Sequence, residues 1–203
     1  MTSPPRIAAL VLAAGSSRRM GASNKLLEPL DGKPLVALAA EAALASKAHP
    51  VFLVTGHEAQ AVKAALLGLD LRFVHNPDHG RGLSSSLRAG LAALPASAEA
   101  CVILLGDMPF LKPSHIDRLI AAFAPEQKRA IIVPVKGGQR GNPTLWARCF
   151  FAEMMGLEGD MGGRNLITRH ADQVFEVAME DDAVLADIDT PDALAKARKD
   201  GGA

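Results

Sequence analysis

The chain is short of cysteine, of net charge and of long apolar runs, and each shortage removes a class of protein. Only Cys101 and Cys149 occur in 203 residues. Cys101 opens an apolar run and Cys149 adjoins Phe150 and Phe151, so both read as small buried hydrophobes, not as a disulfide or metal ligands. Lys plus Arg and Asp plus Glu each total 22, leaving a net charge of zero; nucleic-acid and acidic-membrane binders carry a basic excess. No apolar stretch approaches the roughly 20 residues that cross a bilayer. Met1-Thr-Ser-Pro-Pro-Arg6 runs into apolar sequence with no A-x-A-like cleavage site, so it does not read as an export signal. The expectation is a cytoplasmic protein with no nucleic-acid and no membrane partner. The six histidines lack a metal-ligand spacing such as H-E-x-x-H, and His75, His79, His115 and His170 read as loop or helix-surface residues. With no repeat, low-complexity tract or long linker, residues 1–203 are expected to form one domain, large enough to bury a proper core.

What is present is an alternation of short apolar strands and amphipathic helices. Ile7–Ala13 is continuously apolar and stops at Gly15, as a strand covered on both faces should. Further strands are expected at Val51–Thr55, Leu71–His75, Cys101–Leu105 and Ala130–Val135. Helices are expected at Pro34–Lys47, Glu58–Leu67, Leu83–Leu94 and Pro113–Phe123. The tail adds strands at Pro143–Trp146 and Gln173–Val177, helical stretches around Phe150–Met155 and Arg164–His170, and a helix from Pro191. Such alternation predicts an α/β fold with helices on both faces of a mostly parallel sheet, and the late order adds at least one antiparallel strand. In such sheets ligands bind beyond the carboxyl ends of the strands, where the motifs of this chain fall.

After the first strand comes Leu12-Ala13-Ala14-Gly15-Ser16-Ser17-Arg18-Arg19-Met20-Gly21, then Lys25. Gly15 frees the backbone to turn, the following N–H groups can form an anion nest, and Arg19 and Lys25 supply positive charge for a triphosphate. The spelling fits neither a P-loop, because five residues separate Gly15 from Gly21 and Ala22 follows, nor a G-x-G-x-x-G dinucleotide fingerprint. The alternative is a solvated Gly/Ser/Arg turn. Leu12-Ala-Ala-Gly-x-Ser-x-Arg-Met-Gly-x-x-x-Lys25 resembles the signature of nucleotidyltransferases with a glycosyltransferase-A-type, three-layer Rossmann-like fold. Among them it is most similar to the molybdenum cofactor cytidylyl- and guanylyltransferases. The resemblance implies that Leu12, Ala13, Ala14 and Gly15 bind the nucleotide, while Arg19 and Lys25 hold the triphosphate as catalytic groups.

Two aspartate segments follow. Gly106-Asp107-Met108-Pro109 ends an apolar strand, and Ala186-Asp187-Ile188-Asp189-Thr190-Pro191 precedes the last helix. Attack on an α-phosphate is helped by a cation bridging phosphate oxygens, and Mg²⁺ takes one or two carboxylates with them. Taken singly, Asp107 reads equally as a turn residue and the later pair as helix capping, a role that suits Thr190. By resemblance Asp107 and Asp189 become the Mg²⁺ ligands, with Asp187 the alternative to Asp189, and Asp107 is assigned to the nucleotide and catalytic sets as well.

Asn76-Pro77-x-x-Gly80-Arg81-Gly82-Leu83-Ser84-Ser85-Ser86-Leu87 breaks a strand and opens a helix, offering close backbone approach and hydrogen-bond donors. It is similar to a nucleotide-contacting family segment, which makes Gly82, Ser84 and Ser85 candidates. Arg140-Gly141-Asn142-Pro143, otherwise a hairpin corner, and Gly159-Asp160-x-Gly162-Gly163-Arg164 resemble segments on the acceptor side, with Gly163 where the family commonly has Ala. They make Asn142 and Arg164 candidate acceptor contacts. Trp146 reads as packing.

The resemblance runs from Ile7 to about Leu194. It implies CMP transfer from CTP to Mo-molybdopterin, giving molybdopterin cytosine dinucleotide and pyrophosphate. Leu12-Ala13-Ala14-Gly15 resembles the cytidylyl branch, whereas the guanylyl branch usually reads Leu-Ala-Gly-Gly, so Ala14 is expected to favour CTP over GTP by filling space a purine would need. GTP, another phosphorylated acceptor, and a non-catalytic cofactor carrier are the alternatives, and a molybdenum enzyme or its maturation factor is a further implied partner.

Overall fold

The computed structural model describes residues 4–16, 24–160 and 162–200. Along the chain it forms β1 (Ile7–Ala13), a small antiparallel hairpin of β2 (Pro29–Leu30) and β3 (Lys33–Pro34), α1 (Leu35–Leu44), β4 (Val51–Thr55), α2 (Ala59–Ala65), β5 (Arg72–His75) and α3 (Leu83–Ala93). It continues with β6 (Ala100–Leu105), α4 (Pro113–Ala122), β7 (Ile131–Lys136), β8 (Gln139–Arg140), β9 (Thr144–Ala147), α5 (Phe151–Met155), α6 (Arg164–Arg169), β10 (Val174–Ala178) and α7 (Pro191–Asp200).

The apolar runs form strands because they are covered on both sides. In β1, Ile7, Ala9, Val11 and Ala13 face one core while Ala8, Leu10 and Leu12 face the other. Val51 and Leu53 against Phe52 and Val54 do the same in β4, as do Val102 and Leu104 against Cys101 and Ile103 in β6. The period of two along a strand sends alternate side chains to opposite layers. The first layer receives Val36 and Ala40 of α1, Val62 of α2, and Ile116 and Leu119 of α4. The second receives Leu87 and Leu91 of α3, Met154 of α5, and Leu166 and Ile167 of α6. The result is a three-layer α/β sandwich. A third cluster joins Leu30, Leu35, Ile188, Leu194 and Ala197, seating α7 over the small hairpin.

The eight-stranded sheet runs β10-β7-β9-β6-β1-β4-β5, with β8 beside β7. β6, β1, β4 and β5 are parallel neighbours, and β10 is parallel to β7. The antiparallel element expected in the tail is β9, inserted between β6 and β7, and β8 folds back on β7 as a second. From β1 the chain proceeds outward to β4 and β5, then returns to place β6 on the other flank of β1. That reversal creates a crevice beyond the carboxyl ends of β1 and β6.

Several residues depart from expectation. Cys101 is buried, and burial pushes its thiol pKa up, but Cys149 is exposed. The 3-10 turn Arg148–Phe150 sends Phe150 inward and Cys149 to solvent. His115 is buried on α4, where its Nδ1 accepts the Lys112 N–H at 3.1 Å and its Nε2 lies 3.2 Å from Asp181 Oδ1. Among the described residues no helix is long and apolar enough to cross a membrane.

Candidate active site

A cleft of about 670 Å³ opens at the sheet's reversal point. Leu12, Ala14, Gly15 and Ser16 line it from the end of β1, and Leu105 and Asp107 from the end of β6. The two ends are tied where the Gly106 N–H donates to the Leu12 carbonyl at 2.9 Å. Asp187 and Asp189 enter from the segment before α7. Between them Ile188 is buried in the third cluster, and its N–H donates to the Asp107 carbonyl at 2.9 Å. One buried isoleucine thus anchors the distant acidic segment beside the first. Thr190 Oγ1 accepts the Ala193 N–H at 3.2 Å, so it caps α7 as its sequence suggests.

Lys25 is the centre of charge. It starts the 3-10 turn Lys25–Leu27, whose preceding Asn24 accepts the Leu26 N–H with its side chain. Its Nζ stands 2.5 Å from Asp107 Oδ2 and 2.5 Å from Asp189 Oδ1. Burial works against the ammonium, but the charge of Asp107 and the hydrogen bonds to Asp107 and Asp189 prevail and hold its pKa above the ordinary lysine value. For Asp107 burial dominates and raises the carboxyl pKa, with Lys25 opposing and Asp187 reinforcing the rise. Asp107 Oδ1 is buried with no hydrogen-bond partner. Two carboxylates converging on one cation, with an acceptor left over, form a donor set that suits a divalent ion sharing its coordination with phosphate oxygens.

The rest of the lining is Leu26 beside Lys25, His79, Gly80, Gly82, Leu83 and Ser86 around the start of α3, and Asp160 and Arg164 at the start of α6. Asp160 Oδ1 accepts the Leu83 N–H at 2.9 Å, and the Gly159 carbonyl accepts the Ser84 N–H at 3.0 Å. A Cβ on Gly82, whose φ is +94°, would stand 2.6 Å from that carboxylate oxygen; only glycine permits the approach.

Leu12, Ala14, Gly15, Lys25, Gly82, Asp107, Arg164 and Asp189 are therefore gathered in one cleft. Arg19 lies outside the described residues. Ala13 turns into the first core layer. Ser84 is buried away from the lining. Ser85 Oγ donates within its own turn, toward the Asp78 and Gly82 carbonyls, and accepts from Asn76 Nδ2. Ser86 is the serine that reaches the cleft, and its Oγ also accepts from Asn76 Nδ2 at 3.0 Å. Asn142 lies outside the lining, its N–H bonded to the Val184 carbonyl at 2.8 Å. Among the lining residues that sequence reading did not select, His79, Ser86 and Asp160 carry polar side chains into the set, as does Ser16. His79 and Ser86 lie within the segment that carries Gly82, and Asp160 within the one that carries Arg164.

Residues 9–174 match the family described as MobA-like NTP transferase domain. The chain is a MobA-like nucleotidyltransferase. Nicotine blue oxidoreductase of Paenarthrobacter nicotinovorans is 30% identical to this nucleotidyltransferase over 198 residues, covering 95% of this chain and 97% of that one. Rv0371c of Mycobacterium tuberculosis H37Rv, solved in complex with manganese, is 29% identical, with a TM-score of 0.79 over 97% of this chain and 100% of that one. The fold is shared with molybdopterin-guanine dinucleotide biosynthesis protein A of Archaeoglobus fulgidus at 22% identity and a TM-score of 0.64, over 96% and 98% of the two chains. Matches to bifunctional GlmU proteins take in about a quarter to a third of their length, as in Sorangium cellulosum, where 37% identity over 128 residues spans 60% of this chain and 27% of that one.

Proposed function

We propose that this nucleotidyltransferase moves CMP from CTP to Mo-molybdopterin, releasing pyrophosphate. The observation that carries the reading is the cluster of Lys25, Asp107 and Asp189 beside the loop after β1. A lysine with its charge secured, two converging carboxylates and an unpartnered carboxylate oxygen suit a triphosphate and a divalent ion, and suit a neutral substrate poorly.

Asp107 and Asp189 would hold Mg²⁺, whose charge, when bound, offsets the negative charge that builds on the transferring phosphate. Lys25, with Arg19 six residues earlier in the sequence, grips the β- and γ-phosphates. In-line attack by the acceptor's terminal phosphate oxygen forms a new bond to the α-phosphorus as the α–β bridging bond breaks, and the electron pair leaves with pyrophosphate. That oxygen is anionic at neutral pH, so no strong general base is needed, and the residues act by positioning and charge neutralisation. Arg164, on the far segment of the lining, is suited to the acceptor phosphate. The backbone of Leu12, Ala14 and Gly15 packs on the nucleotide, with Ala14 Cβ narrowing the space for the base. A fold shared with a molybdopterin-guanine dinucleotide protein supports a pterin acceptor, and the manganese complex of Rv0371c supports a divalent ion.

The test is pyrophosphate release with Mg²⁺ and Mo-molybdopterin, comparing CTP, GTP, ATP and UTP. Release with CTP above the others is the expected result. Preference for GTP would overturn the base assignment, and no release with any nucleotide would overturn the reaction.

A further inference from the structure

The cleft contains a side chain that phosphate chemistry does not use. His79 lies on the 3-10 turn His79–Arg81, ahead of α3, and lines the cleft together with Leu12, Ala14 and Ser86. Its position depends on Gly56, directly after β4. A Cβ on Gly56 would stand 2.5 Å from His79 Cβ and 2.8 Å from Ala14 Cβ, so the glycine is what lets the histidine and the alanine approach each other. The same loop is fastened to the first strand where the His57 N–H donates to the Ala14 carbonyl at 3.2 Å. The His57 ring adds a tilted contact, 6.1 Å from that of His79. The imidazole is thereby held next to Ala14 by a glycine, a backbone hydrogen bond and a second ring.

The hydrogen bonding of His79 is incomplete. Its Nδ1 is buried with no partner. In the tautomer that leaves Nδ1 as the bare acceptor, the ring proton sits on Nε2. Nε2–H is then a donor, with no hydrogen-bond partner among the described residues, on a residue that lines the cleft. Lys25 and the carboxylates serve a triphosphate. A flat ring with one open donor, close to Ala14, serves a heterocycle.

We propose that His79 reads the nucleotide base: Nε2–H is donated to a carbonyl or ring-nitrogen acceptor on the base edge, while Ala14 beside it limits the size of the ring admitted. This rests on the cleft being the nucleotide site. A pyrimidine such as cytosine presents O2 and N3 as such acceptors.

The test compares binding of CTP, GTP and inorganic tripolyphosphate, each with Mg²⁺ and no acceptor, by titration calorimetry in wild type, His79→Phe and His79→Gln. Phe keeps the ring and removes the donor; Gln replaces Nε2–H with an amide N–H at similar reach. Tripolyphosphate has no base, so its affinity reports whether the phosphate end is intact. The expected result is a loss of about tenfold in CTP affinity for His79→Phe, the scale of one lost hydrogen bond. Tripolyphosphate affinity should be unchanged in both variants and CTP affinity largely retained in His79→Gln. Unchanged CTP affinity in His79→Phe, or equal loss for CTP and tripolyphosphate, would overturn the proposal. A wild type that binds GTP and not CTP would instead overturn the cytidylyl reading; His79 would keep its role only if His79→Phe then weakened GTP and spared tripolyphosphate.

Discussion

At the residue scale, function turns on a small number of charges whose surroundings set their behaviour. Asp107 has one oxygen on Lys25 and the other unpartnered, so Asp107→Ala removes the proposed metal ligand and the Lys25 partner together. The expected consequence is a fall in pyrophosphate release of at least about a hundredfold, with thermal unfolding confirming a folded variant. Ala14→Gly should reduce the preference for CTP over GTP by roughly tenfold, measured as a ratio of kcat/KM values; an unchanged ratio would remove Ala14 from base selection. Asp181 offers a test of stability. Burial pushes its carboxyl up, but the Lys112 hydrogen bond, the Ala183 N–H and the charge of His115 outweigh that and hold it below its ordinary 3.8. A lowered carboxylate adds stability above its unfolded pKa and loses it as pH falls through the folded one. Asp181→Asn should therefore be less stable than wild type at pH 7, by under about 1 kcal/mol for so exposed a pair. The difference should shrink on acidification below pH 3.8, as read from denaturant midpoints.

At the scale of elements, legibility followed length. β1, β4 and β6 announce themselves as apolar runs because both faces are covered. The two-residue strands of the β2–β3 hairpin and β8 carry too few residues to show a period. The serine run at the start of α3 shows the same limit in a site. Successive helical residues point about a quarter-turn apart, so composition marks Ser84, Ser85 and Ser86 alike and only the packed helix shows that Ser86 reaches the cleft. Asp160 stands in the sequence only as part of the segment before Arg164, but its bond to the Leu83 N–H joins positions 77 residues apart. Gly90 makes the packing of α3 testable. A Cβ there would stand 2.5 Å from Leu10 Cδ1 in β1, so Gly90→Ala should destabilise by about 1–3 kcal/mol through overpacking, seen as a lower denaturant midpoint with an unchanged m-value.

For the whole molecule, the strand order explains why widely separated motifs meet. The reversal from β5 back to β6 places the ends of β1 and β6 side by side, and Ile188 brings the last acidic segment to them. Strand–helix alternation foretold the sheet, whereas the insertion of β9 between β6 and β7 depends on pairing that no local pattern records. The central claim, that the cleft transfers a nucleoside monophosphate, is tested most directly by following the label. CTP carrying ³²P at either the α or the γ position is incubated with Mg²⁺, Mo-molybdopterin and the protein, with Asp107→Ala in parallel. Wild type should place α-label on the pterin and γ-label in pyrophosphate, and the variant should do neither. Label recovered as free CMP or inorganic phosphate, with none on the pterin, would contradict it.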